Sequence, residues 1–125
     1  MTLAAAAALS MAIAVLAVSI GSHALEWRLG SDPERAARTK SFELAERVHV
    51  LASLSLLLGH ATALPTPSWV IAAWWAAILL FSGALYVHAL TGATWLMAAT
   101  VPGAVGLIVG WIGVAESWVP LEASP

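Results

Sequence analysis

The chain has 125 residues, of which 61% are hydrophobic and only 10% charged, with a formal net charge of −2 and no cysteine. Soluble domains run at about 45–50% apolar and about 25% charged, and the apolar residues here fall in runs near the ~20 needed to cross a ~30 Å hydrocarbon core. Disulfides, thiol chemistry and cysteine-ligated metals are excluded, and with no basic surface so is nucleic acid.

The fold class expected is an all-α integral membrane protein: one domain, residues 1–125, of four transmembrane helices with a short interfacial helix in the first loop. The first span covers about residues 2–25, rich in alanine with a Leu/Ile/Val stripe. Ser22-His23-Ala24 loosely resembles a signal-peptide cleavage site, but the stretch has no positive n-region before it, and a retained helix is expected.

The polar loop 26–41 follows. From Glu26 to Arg47 the chain carries all five positive charges (Arg28, Arg35, Arg38, Lys40, Arg47) and five of its seven acidic residues. Ser31-Asp32-Pro33-Glu34 reads as a helix start, with Ser31 or Asp32 as the cap, Pro33 in the first turn and Glu34 three after Ser31 as in a capping box, giving an interfacial helix over about Pro33–Lys40. Ser41 is then expected to cap a second helix, with Glu43 and Glu46 at the positive end of its dipole.

The second span runs over about residues 42–63 and is ended by Pro65 and Pro67. The third covers about 68–90 and the fourth about 94–118, with a kink expected at Pro102. The basic loop should face the cytoplasm, leaving both termini on the outer side. Trp27, Arg28, Arg35, Arg38, Lys40 and Trp95 would anchor the inner interface, and Trp69 and Trp118 the outer one, as in an aromatic belt. The expected home is the inner membrane of a bacterium.

Gly103, Gly106, Gly110 and Gly113, spaced three, four and three apart, form one stripe on the last helix, with a small-xxx-small pair at Gly106 and Gly110. Such a stripe admits a close helix neighbour: another helix of this domain, the first being the expected mate, or a partner protein. Trp74, Trp75 and Trp111 lie deeper than a belt and call for packing or a partner surface.

Several segments resemble a family of small membrane proteins catalogued as domain of unknown function 423, with animal relatives called transmembrane protein 256. The segments are Leu80-Phe81-Ser82-Gly83-Ala84-Leu85-Tyr86, Ala89-Leu90-Thr91-Gly92, Gly110-Trp111, Ile20-Gly21-Ser22-His23-Ala24-Leu25, and His49 with the leucine-rich run after it. Thr100-Val101-Pro102-Gly103-Ala104 is one residue out of step with the family's run, and His88 stands where an aliphatic residue is expected. The resemblance implies a four-helix fold and no reaction.

Ionisable groups inside a membrane are candidate functional residues, because they are costly there. His23, His49 and His88 fall toward the cytoplasmic side, whereas His60 is eleven residues past His49, about 16 Å along a helix at ~1.5 Å per residue. His23 with Glu26, and Glu46 with His49, each stand three apart on a helix face. A mononuclear metal site from His23, His49 and a carboxylate, or haem ligation by two histidines, is therefore the alternative reading, although the further inward glutamates of bundle metal sites are missing. Ser53, Ser55, Ser82 and Thr100 are expected to bond to backbone or across helices. With no nucleophile triad, phosphate loop or line of buried acids, the first expectation is a non-catalytic accessory subunit. It would need no cofactor and would have lipids and other membrane subunits as partners. An oligomeric channel or carrier ranks third, since the broken helices and midplane polar groups of transporters are absent.

Overall fold

The computed structural model describes residues 2–61 and 65–122, without the side chains of 118 and 120–122. Every element is helical, and no strand occurs among the described residues. Helix α1 spans Leu3–Leu29 with a π turn at Ala17–Gly21. Thr2 caps it, its Oγ1 accepting from the Ala5 amide at 3.1 Å, and Gly30 ends it at φ 53°, where only glycine turns without strain.

Helix α2 spans Arg35–Ala61 without a break, so the separate interfacial helix over Pro33–Lys40 and the Ser41 cap are not found. Of the two expected cap residues, Asp32 sets the start. Its Oδ1 accepts from the Glu34 amide at 2.7 Å and its carbonyl from the Arg35 amide at 3.0 Å. Ser41, in mid-helix, bonds across to His88. The expected end of this span at residue 63 lies outside the described residues.

Helix α3 spans Ser68–Thr91, with a π turn at Ile78–Ser82, and ends at Gly92 in the left-handed region, φ 77°. Helix α4 spans Thr100–Glu122, led in by a 3₁₀ turn at Met97–Ala99, and so begins later than residue 94. Pro102 therefore falls in its first turn, where the missing N–H has no intrahelical carbonyl to serve and a proline demands no kink.

Helices α1, α3 and α4 are long and apolar enough to cross a membrane. Helix α2 is long enough but carries Glu46, Arg47, His49 and His60 among its apolar residues. Each helix packs on the next in the chain, α1 on α2, α2 on α3 and α3 on α4. The main core gathers Ala7, Ala52, Leu56, Val70, Trp74, Ile78 and Val114 from all four. A smaller cluster of Leu25, Phe42 and Ala89 closes the hinge end.

The glycine stripe packs on α3, not on α1. A Cβ on Gly103 would lie 2.6 Å from the Phe81 amide nitrogen, one on Gly106 3.1 Å from the Ala73 carbonyl oxygen, and one on Gly110 2.5 Å from Trp74 Nε1. A Cβ on Gly113 would run into the Trp69 ring and lie 2.7 Å from Val70 Cγ2. The stripe is thus filled internally, by backbone and by indole rings too large to shift cheaply. Gly110→Leu or Gly113→Leu should lower the thermal midpoint in detergent as overpacking of about 1–3 kcal/mol or more does. Gly83→Ala, whose new methyl would sit at an ordinary 3.7 Å from the nearest neighbour, should leave the midpoint unchanged or raise it. Circular-dichroism melts of the three variants check this, and equal midpoints would refute the packing assigned to the stripe.

Candidate functional site: a buried polar cluster between three helices

The buried residues of α2 recur at Thr39, Phe42, Glu46, His49, Ser53 and Leu56, a spacing of three and four that lays one stripe along a helix. Most of that stripe is polar. His49 sits at its middle and is 7% exposed. Its Nε2 lies 3.0 Å from Ser10 Oγ on α1, and Ser10 Oγ lies 2.8 Å from Ser53 Oγ. On the other side, His49 Nδ1 lies 3.3 Å from the Tyr86 hydroxyl on α3. Two proton arrangements satisfy the chain: Tyr86 donates to Nδ1, Nε2–H to Ser10 and Ser10 to Ser53, or each of the three bonds runs the other way. Tyr86 also meets Phe42 edge-on, at 5.2 Å between ring centroids. The network therefore joins three helices through one imidazole.

Glu46 shares the stripe at 7% exposure, and its Oε2 is buried with no hydrogen-bond partner. His60 Nε2, Trp74 Nε1 and the hydroxyls of Thr39 and Ser82 are buried without partners as well.

A second polar joint closes the hinge end. Arg38 donates from Nε to the Ala89 carbonyl at 2.9 Å and from Nη2 to the Leu90 carbonyl at 2.8 Å, while its Nη1 meets Asp32 Oδ2 at 3.1 Å. The last carbonyls of a helix have no intrahelical donor, and the guanidinium supplies them with two. Nearby, His88 Nδ1 lies 2.9 Å from Ser41 Oγ.

The residues expected to ligate a metal are separated. His23 is exposed on α1, Glu26 meets Arg35 at 4.0 Å, His49 has both ring nitrogens engaged, and His88 bonds to Ser41. Among the described residues, no group of three or more His, Cys, Asp or Glu is gathered to hold a metal ion. The set of His23, His49 and a carboxylate is thus not assembled. Of the deep tryptophans, Trp74 is buried and its ring lies 5.4 Å from that of Trp111, which covers it from outside and is itself 40% exposed. Trp75 is half-buried against the same core. Among the anchors, Trp27 and Trp95 are 89% and 76% exposed, Trp69 is exposed, and Arg28, Arg35 and Lys40 project outward. Arg38 turns inward instead, and the Trp118 side chain lies outside the described residues. Ser55 and Thr100 bond to backbone carbonyls as expected.

Sequence reading misses Ser10, Tyr86 and the role of Arg38. The three-four spacing of residues 39–56 would have exposed the stripe, whereas nothing in the sequence places Ser10 opposite His49.

A profile described as a protein of unknown function, DUF423, matches residues 17–104. The chain belongs to the DUF423 family. No curated protein and no solved structure matches. The DUF423 match takes in Arg38, Glu46, His49, Ser53, Tyr86 and His88, whereas Ser10 and three of the four stripe glycines lie outside it.

Chemically, this DUF423 cluster is a set of interhelical hydrogen bonds with one unmatched carboxyl oxygen. His49→Ala should cost about 1–3 kcal/mol, because it leaves Ser10 and Tyr86 with buried unmatched groups. The Ser10→Ala/Ser53→Ala double-mutant cycle should give a coupling of about 0.6 kcal/mol, usual for such bonds between membrane helices. Glu46→Leu should be neutral or stabilising, since it removes the unmatched oxygen with the carboxyl group. Equilibrium unfolding in mixed micelles reads all three, and a destabilised Glu46→Leu would mean that Oε2 is matched in the native protein.

Proposed function

We propose that this protein is a four-span integral membrane protein with no reaction of its own, an accessory subunit packed beside a larger membrane complex. The observation that carries the reading is the inversion of α2. Leu44, Leu51, Leu54 and Leu58 are 43–49% exposed, while Glu46, His49, Ser53 and Ser55 on the same helix are buried. In water that arrangement would be unfavourable on both faces. In hydrocarbon it is the favoured one, because polar groups must be matched inside and leucine is at home outside. The inversion supports α2 as the fourth span despite its polar content.

Orientation follows from the hinge. Its basic residues favour the cytoplasmic face, here that of a bacterial inner membrane, and the Arg38 joint puts the α3–α4 loop with exposed Trp95 at the same end. The accessory role is supported by what the polar groups do. The hydrogen-bonded ones serve internal joints, and the packing glycines are filled by α3. The outer helices α1 and α4 leave apolar ridges exposed, among them Ile13, Leu16 and Ile20, and Val105, Ile108 and Ile112. Lipid and neighbouring subunits are the partners such ridges suit.

Since the chain has no cysteine, every introduced one is unique. Ser31→Cys should react with a membrane-impermeant maleimide from the cytoplasmic side alone, and Leu51→Cys from neither side. Labelling of Leu51→Cys from water would overturn the four-span reading. Purification from native membranes in mild detergent, with metal analysis and a visible spectrum on the same sample, tests the accessory role. Stoichiometric association with a larger complex is expected. A lone chain carrying one metal or haem would displace that reading in favour of the histidines.

A further inference from the structure

We propose that the groove between the last turns of α1 and the first half of α2 binds the headgroup of one phospholipid bearing both a phosphate and a primary ammonium, that is, a phosphatidylethanolamine. The proposal rests on the reading that the polar hinge lies at a bilayer face. The groove is open and has a volume of about 690 Å³. Glu26 of α1 forms one wall and Asp32 the end, while Arg35, Thr39, Lys40 and Glu43 of α2 line the other wall. Arg35, Thr39 and Glu43 are four apart and share one helix face.

Both signs of charge line the groove, and several of its groups are uncommitted. Asp32 is neutralised by Arg38. Glu26 meets Arg35 Nη2 only loosely, at 4.0 Å, while Arg35 Nη1 donates to the Gly30 carbonyl at 3.1 Å and leaves its other N–H groups toward the groove. Lys40 and Glu43 take part in neither ion pair found among the described residues. Thr39, at the groove's inner side, is 8% exposed and its hydroxyl has no partner. A turn about its χ1 would offer that hydroxyl to an acceptor in the groove.

A purely anionic headgroup would bring its charge against Glu26 and Glu43, and a purely cationic one against Arg35 and Lys40. A zwitterion matches both sets. Its phosphate would accept from Lys40, Arg35 and Thr39, and its ammonium would donate to Glu26 and Glu43. A primary ammonium has N–H donors for those carboxylates, and the quaternary ammonium of phosphatidylcholine has none. The acyl chains would then run along the exposed apolar surface of α1, where Val18 and Ile20 face outward.

Native mass spectrometry of the full chain in detergent tests this, with dioleoyl phosphatidylethanolamine, phosphatidylcholine and phosphatidylglycerol offered in turn. One phosphatidylethanolamine per chain should be retained, about tenfold in preference to phosphatidylcholine, as charge-assisted hydrogen bonds predict. Glu43→Gln and Lys40→Gln should each reduce that retention about tenfold, with unchanged thermal midpoints because both side chains lie at the groove surface. Equal retention of phosphatidylcholine, a preference for phosphatidylglycerol, or variants that bind as the parent does would each overturn the proposal. Labelling of Leu51→Cys from water would instead remove the bilayer reading beneath it, and the two failures are read by separate measurements.

Discussion

The rest of the structure depends on the way α2 turns its polar side chains inward. A helix that buries a glutamate, a histidine and two serines, and leaves four leucines outside, can be stable only where its neighbours supply hydrogen-bonding partners. Helix α1 supplies Ser10 and α3 supplies Tyr86. The requirement fixes rotation as well as contact. Turning α2 by one residue position, about a quarter of a turn, would carry His49 off both partners. Apolar packing alone tolerates such slippage, because lipid tails and leucine side chains are nearly equivalent surroundings.

Packing of the second pair follows a different rule. Between α3 and α4 no side-chain hydrogen bond was found among the described residues, and the helices are held by approach distance. Glycines at 103, 106, 110 and 113 remove the side chains that would keep the backbones apart, and α3 fills the space with Ala73, Phe81 and the rings of Trp69 and Trp74. Close contact gains dispersion energy that lipid cannot match. The π turn at Ile78–Ser82 lies beside the point where Gly103 meets the Phe81 backbone. The two halves of the domain are thus joined by unlike forces, polar matching on one side of α3 and steric fit on the other.

Much of this was legible in the residues. The apolar runs announce the helices, the prolines and Gly92 bound them, and the glycine spacing correctly marks a close helix contact. The mate of that stripe was not legible, because a run of alanines in α1 and a surface of large aromatics in α3 are both plausible complements to glycine until the fold is seen. The hinge misled for a local reason. Ser31, Asp32 and Ser41 are all good caps, but only Asp32 stands where the chain leaves Gly30 and turns, and the helix then runs through Ser41 because its hydroxyl is taken by His88. Arg38 was read as an interfacial anchor like its neighbours, since the carbonyls it caps lie more than fifty positions away in the chain. The scatter of the expected ligands has the same origin. Three-residue spacing puts a His and a Glu on one face of a helix, but it does not say that His23 faces outward while His49 faces in.

Arg38 also explains why the polar end of the molecule holds together without a continuous apolar core. One guanidinium ties the hinge, through Asp32, to the last turn of α3, and so to the loop that begins α4. An arginine suits this place better than a lysine, because its planar fork reaches two carbonyls and a carboxylate at once. Apart from Asp32 and Arg38 in that joint, the hinge charges are Glu26, Arg35, Lys40 and Glu43 along the groove, Arg28, Glu34 and Arg47 beyond it, and Glu46 buried in the polar stripe of α2. The hinge is therefore divided along its length: one arginine and one aspartate hold the helices together, and charges of both signs line the groove beside them.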